Sequence, residues 1–181
     1  RVITTSDGMT LELAGRPLVF VDTPGHALHH HCIWDERSRS FFTGDTFGLS
    51  HREHDTARGA FVMPTTPPTQ FQPEALRRSI ERLLTFSPRR MLLTHYGAVE
   101  DVPRLAELFL AQLDEVVAAA RALAQVPERH SALKLALAAI HLRRLREHGV
   151  TLPEARIHDL LDLDFELNAQ GIGIWLDRTG T

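Results

Sequence analysis

VFVDTPGH, residues 19–26, is an apolar run that ends in a turn and a histidine. The pattern recurs twice: Phe41-Phe42 precedes Gly44-Asp45-Thr46, and Met91 to Leu93 precedes THYG at residues 94–97. Short apolar runs bounded by Gly, Pro and Asp predict buried strands. Strand ends hold side chains rigidly, and the adjoining loops leave room for a ligand. These three strand ends therefore form the candidate functional site.

The side chains at these strand ends are two imidazoles, His26 and His95, and one carboxylate, Asp45. Imidazole and carboxylate donors suit zinc, iron or manganese. A carboxylate has two oxygens, so Asp45 can bridge two ions while each histidine holds one. The alternative for each residue taken alone is structural: a half-buried histidine, or an aspartate that caps a turn.

The first hundred residues combine strand patterns with one helical pattern. Residues 10–21 and 31–43 each predict a β-hairpin. Residues 47–70 contain three prolines and no sustained periodicity, which predicts a long loop. Loops longer than about 12–15 residues in a compact domain are usually functional or disordered. A helix is predicted to begin at Pro73, and the alternation of strand, helix and strand predicts an α/β architecture.

The last eighty residues predict helices. Apolar residues keep helical spacing from Pro103, and Pro127 separates a first helix from a second one. Gly149 suits the C-terminal cap of the second helix. Residues 151–154 match a capping box, which predicts that a third helix begins there and continues over residues 164–178.

Composition limits the functional classes. The chain has 181 residues, 43% of them hydrophobic and 24% charged, with a net charge of −3 and one cysteine. These values are typical of a globular protein and exclude a disulfide framework. The net charge argues against a nucleic-acid partner. No apolar run approaches the roughly 18 residues that span a bilayer. We expect a soluble, cytoplasmic protein that binds neither membrane nor nucleic acid.

The order of these motifs resembles the metallo-β-lactamase superfamily. TPGH at residues 23–26, GD at residues 44–45 and a late histidine after a strand, His95, match that family's third, fourth and fifth metal motifs. The resemblance covers roughly residues 10–97. It implies an αββα sandwich with two zinc ions at one edge, iron or manganese being alternatives. The implied metal ligands here are His26, Asp45 and His95.

The family's HxHxDH motif precedes TPGH, but none of the first 25 residues of this chain is histidine. HREHD at residues 51–55 has a different spacing and lies in the long loop. We therefore expect this chain, which begins at Arg1, to be the C-terminal part of a longer protein. Residues 1–100 would form a partial metallo-β-lactamase-like domain, and residues 101–181 a helical C-terminal region. Alone, the chain is expected to bind metal weakly and to hydrolyse little.

The resemblance implies a metal-dependent hydrolase in which a metal-bound hydroxide attacks the substrate and Asp45 takes part in catalysis. A small-molecule ester or thioester fits best, as in glyoxalase II, although no Lys-Tyr pattern for binding glutathione follows Asp45. GDTFG at residues 44–48 also resembles flavodiiron proteins, which makes a non-haem iron redox site an alternative. A third alternative is a catalytically incomplete binding or scaffold unit. Homo-oligomerisation through the helical tail is compatible with each alternative.

Several other polar residues have structural explanations. On a strand, alternate members of the His29 to His31 trio face opposite sides, and the resemblance makes His30 a supporting residue rather than a ligand. Asp22 is either a partner that orients a ligand histidine or a turn residue at a strand end. Cys32 is expected to be a small buried residue, and His141 a core histidine.

Overall fold

The computed structural model describes residues 2–67 and 70–180, so Arg1, Pro68, Thr69 and Thr181 lie outside the described residues. Within the described ranges the chain forms one six-stranded sheet and four α-helices. The strands are β1 (Thr10–Leu13), β2 (Arg16–Asp22), β3 (His31–Asp35), β4 (Ser40–Gly44), β5 (Arg90–Leu93) and β6 (Gly97–Val99). The helices are α1 (Pro73–Thr85), α2 (Val102–Ala122), α3 (Arg129–His148) and α4 (Glu154–Thr179).

The sheet follows chain order from β1 to β6. All neighbours are antiparallel except β4 and β5, whose parallel pairing requires the crossover that contains α1. Both predicted hairpins are confirmed. Ala14 and Gly15, with φ of 52° and 72°, make the tight turn between β1 and β2. The sequence does not predict strand β6, because three residues are too few to carry a period.

The two faces of the sheet differ in their surroundings. One face belongs to the main core with α1 and α2, and its cross-strand row comprises Val19, Trp34, Phe41, Met91 and Val99. The opposite face carries a second apolar row, comprising Phe20, Ile33, Phe42, Leu92 and Ala98. Phe42 in this row is 46% exposed. The second face is therefore apolar and only partly covered by the described residues.

The long loop predicted over residues 47–70 is irregular where the structure describes it. It contains a short 3-10 turn, Arg52–His54, and two antiparallel bridges, one between Leu49 and Met63 and one between Thr56 and Gly59. The loop then crosses α4, where the Thr66 amide donates to Oδ1 of Asn168 (2.6 Å). This contact attaches α4 to the loop that follows β4.

Helix α4 begins where the sequence predicts a helix, but the predicted capping box at residues 151–154 is wrong. The residue at the N-cap is Pro153, and no side chain makes a capping hydrogen bond there. The helix also continues through two glycines. A Cβ at Gly171 would overlap the carbonyl oxygen of Thr66, so the loop requires a glycine at this position. In the described part of the chain, no helix is long and apolar enough to cross a membrane.

Candidate metal site at the sheet edge

The TPGH turn follows β2 and packs against the start of α1. The amide of Gln72 donates to the carbonyl oxygen of Gly25 (2.8 Å). Gly25 has a φ of 135°, and a Cβ there would overlap the backbone of Leu76. Glycine is thus needed both for the backbone conformation and for the close approach of the helix. The close packing holds His26 at the edge of the sheet.

His26 is mostly buried and oriented by the long loop. Its Nδ1 lies 3.1 Å from Oγ1 of Thr65, and its Nε2 lies 3.6 Å from Oδ2 of Asp45. Burial lowers the pKa of His26, and the charge of Asp45 opposes this effect. A neutral imidazole whose Nδ1 is engaged presents Nε2 to a cation.

The GD turn is held by His30. The amide of Asp45 donates to Nε2 of His30 (3.2 Å), which places the ring proton on Nδ1, 2.9 Å from Oγ1 of Thr46. Burial lowers the pKa of His30 to about 4, in agreement with a neutral ring. Gly44 has a φ of 51°, and a Cβ there would overlap Nε2 of His30. His30 therefore orients the backbone of Asp45, which is the supporting role that the resemblance implied. Its side chain does not line the cavity beside Asp45.

The Asp45 carboxylate lies between the two imidazoles. Its Oδ1 lies 3.4 Å from Nε2 of His95, while its Oδ2 faces His26. The Oδ1 atom is buried and has no hydrogen-bond partner among the described residues. A buried carboxylate oxygen without a donor is costly, and a cation would compensate it. In a tetrahedral site with metal–ligand distances of about 2.0–2.1 Å, two ligand atoms lie about 3.3–3.4 Å apart. The separations of 3.4 and 3.6 Å between the Asp45 oxygens and the histidine Nε2 atoms are close to this value.

Each oxygen of Asp45 thus pairs with one histidine, which forms two half-sites with two donors each. In residues 2–67 and 70–180, no group of three or more His, Cys, Asp or Glu side chains is arranged to hold one ion. His26 with Asp45, and His95 with Asp45, would each supply two donors to a cation, and each cation would need further ligands. The assignment of His26, Asp45 and His95 as metal ligands, and of Asp45 as catalytic, stays a prediction.

A cavity of about 350 Å³ opens beside these three residues. Its far wall comes from α4, which contributes Leu160, Leu163, Asp164 and Leu167. Sequence reasoning assigned none of these four residues to the site, and it did not assign Thr65 either. Thr65 is 39 residues from His26 along the chain, and no local pattern marks their contact.

Comparison with known proteins identifies the family to which these residues belong. The family model described as the metallo-beta-lactamase superfamily matches residues 1–119. The chain belongs to the metallo-β-lactamase superfamily. The predicted α/β fold of that superfamily is confirmed, since the six-stranded sheet and its helices match solved structures of the same family.

Individual metallo-β-lactamase relatives agree with this assignment. The metallo-beta-lactamase fold-containing protein ST1585 of Sulfurisphaera tokodaii is 30% identical over 116 residues, which are 62% of this chain and 39% of that protein. The metallo-beta-lactamase family protein TTHA1429 from Thermus thermophilus has a TM-score of 0.64 at 22% identity, over 99% of this chain and 50% of that one. A beta-lactamase domain protein from Burkholderia ambifaria has a TM-score of 0.59 at 18% identity, over 99% of this chain and 48% of that one. The chain spans half or less of the length of these relatives.

The HREHD string at residues 51–55 does not join the metallo-β-lactamase motifs. His51 and His54 are buried, and the His51 ring stacks on Tyr96 with centroids 4.0 Å apart. Within the described ranges, neither histidine belongs to a group of three or more potential ligands arranged to hold an ion. The string therefore packs the loop against the strand end that carries His95.

The remaining polar residues of the sequence analysis have structural surroundings. Cys32 is fully buried, and burial raises the pKa of its thiol to about 12. His141 is buried with its Nδ1 3.2 Å from Oε1 of Gln112, as expected for a core histidine. Asp22 is exposed, and its amide donates to Oδ1 of Asp7 at the strand end, which favours the turn interpretation.

Proposed function

We propose that this chain contributes to the metal site of a metal-dependent hydrolase that acts on a small-molecule ester or thioester. The observation that supports the proposal is the position of Asp45, with one carboxylate oxygen facing each histidine and one oxygen buried without a donor. Membership of the metallo-β-lactamase superfamily supports the coarser class of reaction.

In this proposal His26, Asp45 and His95 hold two ions, zinc or alternatively iron or manganese. Two adjacent ions lower the pKa of water and polarise the bond under attack. Thr65 holds the ring of His26 through Nδ1, and His30 holds the backbone of Asp45. Both contacts fix donor orientation before substrate binds, which is the arrangement that preorganised catalysis requires.

Each half-site needs more donors, because catalytic zinc sites usually have three protein ligands. We propose that a second β-layer supplies them and packs on the apolar row that includes Phe20 and Phe42. Two facts support this proposal: the row is only partly covered, and the chain spans about half of the TTHA1429 chain. Until that layer is present, the 181 residues are expected to bind zinc weakly and to show little turnover.

The test is a calorimetric zinc titration of the 181-residue chain and its variants. Asp45→Asn removes the charge shared by both half-sites and is expected to weaken zinc binding at least tenfold. His29→Ala is the matched control, since His29 is an exposed histidine three residues from His26. Equal zinc affinities for Asp45→Asn and the parent chain, or a larger loss for His29→Ala, would contradict the proposal.

The redox alternative rests on GDTFG at residues 44–48. Packing accounts for the last two of these residues without reference to a metal. Phe47 is fully buried and stacks on Phe109 with centroids 5.9 Å apart, and a Cβ at Gly48 would overlap the carbonyl oxygen of Met63. We therefore favour a hydrolase over an iron redox protein. Oxygen consumption by the iron-loaded protein would reverse this preference.

A further inference from the structure

Helix α4 presents a row of leucines to the cavity beside Asp45. Leu160, Leu163 and Leu167, here called the leucine ridge, are spaced i, i+3, i+7 and all line the 350 Å³ cavity. Side chains at this spacing lie on one face of a helix. Leu163 is 70% exposed and Leu167 is 37% exposed. An apolar surface is therefore left open to solvent within a concave site.

The leucine ridge is distinct from the face by which α4 joins the core. The core face includes Ile157, Leu161, Phe165 and Ile172, all fully buried. The helix thus has a second apolar strip: Leu160 packs partly against the core, whereas Leu163 and Leu167 stay exposed. Covering apolar surface is worth roughly 25 cal/mol per Å², so an apolar ligand group on the ridge would gain affinity.

The charges that line this cavity favour an uncharged ligand. Among the described lining residues there is no lysine or arginine, and Asp164 places a carboxyl group on the α4 wall. An anionic group placed against the ridge would meet the carboxyl group of Asp164 and no basic side chain on this wall. The wall therefore complements a neutral apolar group rather than a phosphate, a sulfate or a carboxylate.

The ridge is held in a fixed position relative to the candidate metal site. Asn168, one residue beyond Leu167, accepts from the Thr66 amide through Oδ1 (2.6 Å) and from the Thr66 hydroxyl through its carbonyl oxygen (3.2 Å). Thr65, the residue before Thr66 in the loop, contacts His26. The same loop segment thus orients a candidate ligand on one side and the ridge on the other.

We propose that the leucine ridge binds an uncharged, apolar acyl or alkyl group of the substrate, and that Asp164 selects against substrates with an anionic group at that position. The assignment of this group to a hydrolysed ester or thioester rests on the proposed function. The binding surface itself requires only α4 and the loop.

The test uses amides, which are stable probes, and leucine-methyl NMR spectra of the 181-residue chain. Hexanamide is the apolar probe, acetamide is the short control, and adipamate is the same six-carbon chain with a terminal carboxylate. We expect hexanamide to shift the Leu163 and Leu167 methyl signals saturably and to bind about tenfold more tightly than acetamide or adipamate. Equal binding of hexanamide and acetamide would overturn the proposal.

Leucine variants inside and outside the cavity show whether hexanamide binds at the ridge or at any exposed leucine. Leu167→Ser is expected to weaken hexanamide binding at least threefold, and Leu163→Ser should do the same. Leu135→Ser is the matched control, because Leu135 is 72% exposed on α3 and does not line this cavity. Asp164→Asn is expected to bring adipamate binding closer to that of hexanamide. Equal effects of Leu135→Ser and Leu163→Ser would refute a specific site.

Sedimentation velocity tests whether a second copy of the chain covers the ridge instead. If Leu163→Ser abolishes self-association and leaves hexanamide binding unchanged, the ridge is a subunit interface and the proposal is wrong. The amide titrations contain no metal. If hexanamide does not bind, the ridge proposal is wrong, and the zinc titration of Asp45→Asn still tests the proposed function. If Asp45→Asn binds zinc as the parent chain does, the proposed function is wrong, and the ridge proposal is not affected.

Discussion

Replacement of Gly44 by alanine tests whether His30 holds the turn that carries Asp45. Gly44 has a φ of 51°, so alanine there adopts a left-handed conformation at a cost of about 1–2 kcal/mol. The new Cβ would also overlap Nε2 of His30, which accepts from the Asp45 amide. Displacing the ring leaves that amide without its partner, at a further cost of about 1–3 kcal/mol.

Gly15→Ala is the matched control for the backbone term. Gly15 has a φ of 72°, and a Cβ there would have no neighbour within 4 Å. Gly15→Ala should therefore cost only the left-handed backbone term of about 1–2 kcal/mol. The difference between the two variants isolates the contact with His30, and we expect it to be about 1–3 kcal/mol.

Urea unfolding of five proteins measures this difference: the parent chain, Gly44→Ala, Gly15→Ala, His30→Ala and the double variant Gly44→Ala/His30→Ala. His30→Ala removes the ring that the new Cβ would strike, so Gly44→Ala should cost less in that background than alone. Gly44→Ala should also weaken zinc binding, while Gly15→Ala should not. Equal unfolding free energies for Gly44→Ala and Gly15→Ala would refute the role assigned to His30.

Three further predictions concern buried groups. His141 has a folded-state pKa lowered to about 3 by burial, against roughly 6.5 when unfolded. Above about pH 6.5, His141 is neutral in the folded and the unfolded state and does not make stability depend on pH. Below that pH, His141 binds a proton only in the unfolded state, so the free energy of unfolding falls by about 1.4 kcal/mol per pH unit. His141→Gln should make urea midpoints between about pH 7.5 and 5 less dependent on pH, and an unchanged dependence would contradict this. Cys32 should react with a thiol reagent only after unfolding, because burial raises its pKa to about 12, and rapid labelling of the folded chain would count against its burial. Gly171→Ala should destabilise the chain by more than about 1 kcal/mol in urea, because the Cβ would overlap the Thr66 carbonyl, whereas Gly173→Ala should be neutral or stabilising by about 1 kcal/mol. Equal midpoints for these two variants would contradict the packing of α4 against the loop.

Local patterns predicted most of the secondary structure. The hairpins that end in β2 and β4, helix α1 and the three helices of the tail were all visible as periodicity and turn residues. Two failures have local causes as well. Strand β6 has three residues and exists through its pairing with β5, and α4 begins at Glu154 without the side-chain cap that residues 151–154 predict.

The family and the types of donor at three strand ends can be identified from short motifs, because each motif is a few consecutive residues whose chemistry does not depend on the rest of the chain. How those donors are held depends on contacts between residues far apart in the chain. Thr65 contacts His26 across 39 residues of chain, and Thr66 contacts Asn168 across 102. No periodicity encodes such distant pairs, since they depend on how the long loop and α4 pack together. The orientation of His26 and the apolar wall of the cavity therefore emerge only when the chain folds.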